Sequence, residues 1–348
     1  MLAAVVTGLQ TMVMQEVPVP EIDAESILLK VEACSICGSD IRILASGNPR
    51  VRYPAVIGHE MAGSIAAVGK QVRGFAIGDR IAIGADVPCG VCDWCRNDQG
   101  NCCDTNYAMG YQFAGGFAEY CLLNPVVVKY GPIAPVPASV TAEEAALAEP
   151  LACCLNGYER VFFSPGKSVL IIGAGPVGLM LLQLARSFKA SVRAVADVEP
   201  FRLAYAKKFS PDFIFDSRTT DLIAAGQAAT NGKGFDVIFT ACAVPEVQEQ
   251  ALRLVAKRGC VNLFGGLAKN SRPIAVISND IHYREAYVTG SHGSLPRQHK
   301  QALDLIARRE IDVASLITHR FPLADIQEAF QTAQQKTSMK VVISDMKQ

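Results

Sequence analysis

Val169-Leu170-Ile171-Ile172-Gly173-Ala174-Gly175-Pro176-Val177-Gly178 is the stretch that decides the fold. An apolar run reads as a strand, and the residues over 177–188 that follow carry helical amphipathic spacing. A Gly-x-Gly-x-x-Gly spacing is common and weak by itself. Here it sits at a strand-to-helix turn, and Asp197 ends the next predicted strand 19 residues beyond Gly178. That context makes it a dinucleotide-binding fingerprint. Gly173, Gly175 and Gly178, with Pro176 and Val177 between them, let the backbone approach a pyrophosphate whose charge the helix N-terminus favours. The acid takes the ribose hydroxyls. Asp197 followed by Val198-Glu199 points to NAD, because a 2′-phosphate would meet two acids; Arg202 is the one counter-signal.

Outward from this turn, the pattern predicts strands over 168–172, 191–196, 213–216, 235–240 and 260–264, alternating with helices over 177–188, 200–208 and 246–256. That alternation is the mark of an α/β doubly wound parallel sheet over about 151–287. Ligands in such sheets lie beyond the carboxyl ends of strands, so the loops holding Cys242, Gly265 and Ser291 are candidates for a nicotinamide pocket. The sheet pattern is expected to stop beyond about Val288, with a helix over 296–309 and a closing strand over 340–344. Residues 1–150 are short apolar stretches broken by Gly and Pro, and they read as a mostly β domain. Residues 288–348 are expected to return to it.

The 348 residues suit about two domains. With 33 basic and 33 acidic residues the net charge is zero, which removes the electrostatic case for a nucleic-acid or anionic-membrane partner. Residues 1–10 carry no basic leader and no apolar run approaches a membrane span, so a reducing cytoplasm is the expected setting. There, clustered thiols mean metal or catalysis rather than disulfides. Of the 12 cysteines, Cys34, Cys121, Cys153, Cys154, Cys242 and Cys260 read as small buried hydrophobes.

Cys89-x2-Cys92-x2-Cys95-x7-Cys103 has the spacing of a closed four-thiolate zinc site over about 86–105, although adjacent Cys102 leaves the fourth ligand open. Cys37 in Cys37-Gly38-Ser39-Asp40 and His59-Glu60 after Gly58 are scattered ligands of mixed type. Glu149, in Ala148-Glu149-Pro150, is a further acid near the expected domain boundary. A catalytic zinc wants three such ligands and one open position.

Together these motifs resemble the zinc-containing medium-chain dehydrogenase/reductase family over essentially the whole chain. Gly58-His59-Glu60-x2-Gly63-x5-Gly69-x2-Val72 is similar to its zinc signature, followed by Phe75-x2-Gly78-Asp79-Arg80. Gly115-Gly116-Phe117-Ala118-Glu119-Tyr120 is similar to its segment after the cysteine lobe. The resemblance implies a GroES-like catalytic domain around a Rossmann cofactor domain, two zinc ions per chain, NAD, and a homodimer or homotetramer. It favours Cys103 over Cys102. It assigns Cys37, His59 and one or both of Glu60 and Glu149 to the catalytic zinc, Ser39 to proton relay, and Arg202 to the adenine face.

Glu149 and the Cys-His-Glu ligation look most like the polyol and threonine dehydrogenases. The implied reaction is oxidation of a secondary hydroxyl of a polyol or sugar-derived substrate. Zinc-independent quinone reductases and non-catalytic nucleotide-binding relatives on this fold lack the Cys37 and His59 constellation. Where many relatives have His, this chain has Arg42, which weakens the threonine reading. Arg42, with Arg50 and Arg52, makes a phosphorylated or acidic sugar conceivable, against an expectation that these arginines are solvated at the surface.

Overall fold

The computed structural model describes residues 1–335 and 337–346. It divides into two units, Met1–Ala152 with Gly293–Gln348, and Cys153–His292. Among the described residues no helix is long and apolar enough to cross a membrane.

In the second unit Ser168–Ile172, Val192–Asp197, Phe213–Asp216, Phe235–Thr240, Val255–Leu263 and Tyr287–Gly290 form one parallel sheet. Its spatial order is third, second, first, fourth, fifth, sixth, the doubly wound Rossmann arrangement. The central strand Ser168–Ile172 is buried along its whole length, which is why it reads as an unbroken apolar run. Ile172 pairs with Ala196 on one side and Thr240 on the other. The turns at Gly173, Asp197 and Ala241 therefore emerge together, where the strand order reverses.

The sixth strand is absent from the predicted set, although it ends the sheet at Gly290, close to the expected limit of about Val288. Tyr287–Gly290 pairs in parallel with Val255–Leu263, yet as the edge strand it is largely exposed, so no buried periodicity marks it. The fifth strand also begins earlier than residue 260. Helix 200–208 is shorter than expected, since Pro200–Ala206 passes into a 3₁₀ turn over Lys207–Phe209.

In the first unit Ile133–Pro135, Arg80–Ile83, Glu60–Val68, Ile27–Ser35, Lys340–Asp345 and Ile317–Pro322 lie side by side in that order, and Tyr120–Leu123 also pairs with Ile27–Ser35. Leu29, Val31, Met61, Ile81, Ile83, Phe117, Phe330 and Ile343 pack into its core. Phe117 meets Phe330 edge-on at 5.6 Å. Each such side chain contributes about 1.5–3 kcal/mol of burial energy. Ser35 sits opposite both Glu60 and Val342, so both ends of the chain contribute to the strands around one candidate metal site.

Four of the six singly read cysteines are buried. Cys153 and Cys242 are only half-buried, which corrects the expectation for those two: Cys153 lies in the middle of helix Ala148–Glu159, and Cys242 in the loop after strand Phe235–Thr240.

His299, on helix Pro296–Ala307, is fully buried, and neither ring nitrogen has an aligned hydrogen bond among the described residues. Burial pushes its pKa down to about 4, against a small raising contact with the Ala82 backbone. The imidazole takes up its proton near pH 6.5 in the unfolded chain but only near pH 4 when folded. Its neutral form therefore stabilises fully above about pH 6.5, and this stability is lost as pH falls towards 4. At pH 5 the loss amounts to about 2 kcal/mol. Glu149, raised by burial, contributes with the opposite sign. The difference between His299→Leu and wild type isolates the histidine: its stability relative to wild type should rise by about 2 kcal/mol between pH 7.5 and 5. Parallel pH profiles in denaturant unfolding would refute this.

Candidate active site and metal centres

The chain leaves strand Ile27–Ser35 and enters helix Gly38–Ser46 at Cys37, whose extended backbone forms the N-cap. Asp40 Oδ2 accepts the Cys37 amide at 2.9 Å, which fixes the turn and the position of the Cys37 thiol. The fully buried Asp40 carboxylate also places Oδ1 3.2 Å from His59 Nδ1, an electrostatic contact rather than an aligned hydrogen bond. His59 therefore turns Nε2 towards Ser39, whose Oγ is 3.3 Å away. A carboxylate behind one ring nitrogen is how ligating histidines are oriented. Burial alone would lower the His59 pKa, but Asp40 raises it well above the ordinary value.

Cys37, His59 and Glu60 bring one ligand atom each to within 4.8 Å of one another. Glu60 is fully buried. Its Oε2 accepts from Ser35 Oγ and Lys340 Nζ, whereas Oε1 has no hydrogen-bond partner among the described residues. A buried carboxylate oxygen without a donor, next to a thiol and an imidazole, fits a zinc ion of mixed S, N and O ligation. Glu149, in the first turn of helix Ala148–Glu159, stands outside this three-residue group. Burial pushes its pKa up to about 7; His59 pulls it down, and Glu60 and Asp86 push it up. It faces the same charges from a helix rather than from the sheet.

Asp40, Ser35, Lys340 and Tyr111 belong to this surrounding shell and escaped the sequence reading. Asp40 lies within the Cys37-Gly38-Ser39-Asp40 motif and could have been found there. Lys340 is 280 residues from Glu60 and carries no local signal.

The second cluster is local. Cys89, Cys92, Cys95 and Cys103 form one group, with Cys102 exposed beside it. Sulfur–sulfur separations are 3.4 Å for Cys92–Cys95 and 3.9 Å for Cys89–Cys95 and Cys92–Cys103. A tetrahedron with Zn–S bonds of about 2.3 Å has edges of about 3.8 Å, so the four thiols fit the ion. The Val91 and Cys92 amides point at Cys89 Sγ and lower its pKa to about 6, favouring the thiolate that a metal needs. A closed site of this kind has no room for substrate. Cys92→Ser is expected to lower the melting temperature by at least about 5 °C and remove about one zinc per chain. An unchanged melting temperature with full zinc content would count against it.

The nucleotide-site candidates lie together at the strand ends of the second unit. Gly173 has φ +113°, open to glycine, and a Cβ there would sit 2.9 Å from the Ala241 carbonyl. A Cβ at Gly178 would fall 1.8 Å from the Gly173 carbonyl oxygen, so the helix start can pack on the turn only without a side chain. Gly175 caps helix Pro176–Ser187, and the space beside it is open except for Arg202. That open backbone at a helix N-terminus fits a pyrophosphate.

Asp197 is buried, and its oxygens accept from the amides of Ala174 (2.6 Å), Val198 (2.7 Å) and Glu199 (2.9 Å). Arg202 Nη1 lies 4.0 Å from it. Gly265 donates to the Thr240 carbonyl at 2.7 Å and packs on Cys242, and Ser291 Oγ contacts Asn262 Oδ1 at 3.2 Å. These loops thus lie together at the carboxyl ends of neighbouring parallel strands.

Two family models match the chain: the alcohol dehydrogenase GroES-like domain over residues 23–132, and the zinc-binding dehydrogenase domain over 176–308. Sorbitol dehydrogenase of Bacillus subtilis (strain 168) is 32% identical, the alignment covering 96% of this chain and 94% of that protein. D-arabitol-phosphate dehydrogenase of Enterococcus avium is 31% identical, with coverage of 97% and 94%. Among solved structures, a protein assigned as a zinc-binding dehydrogenase from Sinorhizobium meliloti 1021, bound to NADP, superposes with a TM-score of 0.92 at 30% identity, covering 99% and 98% of the two chains. A Rossmann sheet, a GroES-like domain and matches running nearly end to end leave one conclusion: the chain belongs to the zinc-dependent medium-chain alcohol dehydrogenase family.

Proposed function

We propose that the protein oxidises a secondary hydroxyl of a polyol or sugar-derived substrate to the ketone, with NAD as hydride acceptor and a zinc ion held by Cys37, His59 and Glu60. The observation that carries this reading is the buried Glu60, with Glu149 near it, where a site for simple alcohols would have less use for carboxylates. A carboxylate beside the reacting centre gives a neighbouring substrate hydroxyl a strong acceptor, which suits a chain carrying several hydroxyls.

When bound, the zinc polarises the substrate oxygen and the nicotinamide takes up the hydride. The chain's own residues prepare that step. Asp40 orients His59, and Lys340 with Ser35 holds one oxygen of Glu60 so that the other faces the ligand group. Ser39 Oγ takes the substrate hydroxyl proton as it releases its own to solvent water. Tyr111, whose ring lies 5.8 Å from the His59 imidazole and whose pKa is raised by burial, holds its phenol proton beside the relay.

Hexitols, inositols, sugar phosphates, aldonates and threonine, compared by NADH formation, test the reading. Polyols or their derivatives should give the highest kcat/KM; a strong preference for a simple primary alcohol or for threonine would overturn it. The exposed edge strand Tyr287–Gly290, with Tyr283 and Phe162 also exposed, suits pairing with a second copy of the chain. Light scattering should give a homodimer or homotetramer, and a monomer at micromolar concentration would refute it.

A further inference from the structure

Of the three arginines in the segment between the first candidate ligand and His59, Arg42 and Arg52 are exposed, as expected of solvated side chains. Arg50 is not: it is half-buried, and its guanidinium carbon lies 4.8 Å above the Tyr111 ring. The Tyr111 ring in turn lies 5.8 Å from the His59 imidazole. Packing thus corrects the surface reading of Arg50 and joins it to the candidate metal centre through one aromatic ring.

The charge of Arg50 is incompletely met. Nη2 donates to the Asn106 carbonyl, while Nε is buried with no hydrogen-bond partner among the described residues. No described carboxylate pairs with it. A cation–π contact supplies only part of what a partly desolvated guanidinium loses, and a buried donor without an acceptor is costly. Arg42 and Arg52 add positive charge nearby in sequence. A neutral hydroxyl would offer this fork one weak acceptor, whereas a phosphate or carboxylate matches its planar pair of N–H groups and its charge. Two short steps, guanidinium to phenol ring and ring to imidazole, span a distance that a five- or six-carbon chain with a terminal anion covers.

We propose that Arg50, seated on Tyr111 beside His59, makes the enzyme selective for a polyol with an anionic terminus, a phosphate monoester or a carboxylate. This rests on the polyol reading above. The oxidised hydroxyl points to Cys37 and His59, and the anion lies against the guanidinium.

The test compares a hexitol, the same hexitol phosphorylated at one end, and the corresponding aldonate, with wild type, Arg50→Gln and Arg50→Lys. Zinc content and melting temperature establish that each variant is folded. In wild type, kcat/KM for the phosphate or the aldonate should exceed that for the neutral hexitol by at least about thirtyfold. Arg50→Gln should cut that ratio at least about tenfold, with Arg50→Lys between, because it keeps the charge and loses the fork. The phosphate and aldonate arms tell which anion the site takes. A wild-type ratio near one, or a ratio that Arg50→Gln preserves, overturns the anion site while oxidation of the hexitol keeps the polyol reading.

Calorimetric binding of the hexitol phosphate to the NAD-loaded holoenzyme separates the two claims independently of turnover. Arg50-dependent binding with no oxidation of any polyol would keep the anion site and overturn the polyol reading. Absence of binding and of oxidation would overturn both.

Discussion

His59→Ala should lower kcat/KM by at least about a thousandfold and leave about one zinc per chain where the wild type holds about two. The imidazole is the only nitrogen ligand in the Cys37, His59, Glu60 group, and its loss also leaves the buried Asp40 carboxylate without the ring it faces. Transition-state stabilisation by a metal is worth several kcal/mol, and about 4 kcal/mol corresponds to a thousandfold in rate. The four-thiolate cluster does not depend on His59, so the zinc that remains should be the one resistant to mild chelation.

Asp40→Asn gives a graded control. It keeps the shape of the residue behind the ring and removes its charge, so activity should fall by about 10- to 100-fold, the usual cost of losing a partner that orients a ligand. A His59→Ala protein with two zincs and near wild-type turnover would remove His59 from the ligand set. An Asp40→Asn loss larger than that of His59→Ala would mean that the acid, not the ring, contacts the metal.

Wild type should use NAD at least about a hundredfold better than NADP in kcat/KM, and Asp197→Ala should narrow that ratio at least about tenfold. Three backbone amides fix the Asp197 carboxylate at the end of its strand, so it cannot swing away from a ribose placed there. A 2′-phosphate brings up to about two negative charges, and at an effective dielectric near 20 each unit pair about 4 Å apart repels by about 4 kcal/mol. Arg202, 4.0 Å from the same carboxylate, offsets part of this, which brings the net discrimination down to about 3 kcal/mol, or a hundredfold. Glu199 stands where a basic residue would grip a phosphate.

The NADP-bound relative at 30% identity makes the measurement informative, since cofactor choice can differ on one fold. Equal or better use of NADP by the wild type would overturn the assignment. An Asp197→Ala protein that stays as selective would place the discrimination elsewhere, with Arg202 and Glu199 the next residues to change.

Sequence by itself determined those features whose parts are close along the chain. The turn at Gly173-x-Gly175-x-x-Gly178 is legible because a strand, a glycine turn and a helix must follow one another directly for a backbone to cradle a phosphate. The cysteine lobe is legible because one polar loop supplies all four thiols over residues 89–103. Buried central strands are equally plain, since burial on both faces demands an unbroken apolar run. The exposed edge strand Tyr287–Gly290 escaped because nothing demands such a run at a sheet edge.

Tertiary structure alone decided what depends on sheet register and on packing between distant segments. Lys340 meets Glu60 because the C-terminal strand pairs with Ile27–Ser35, which pairs in turn with Glu60–Val68. Asp40 faces His59 across 19 residues because a helix cap and a strand end happen to converge, and neither residue type reveals this in isolation. Arg50 carries the same point furthest. An arginine in this loop reads as solvated, and only packing on the ring of Tyr111, from a loop far along the chain, half-buries it and links its unmet donor through that ring to His59.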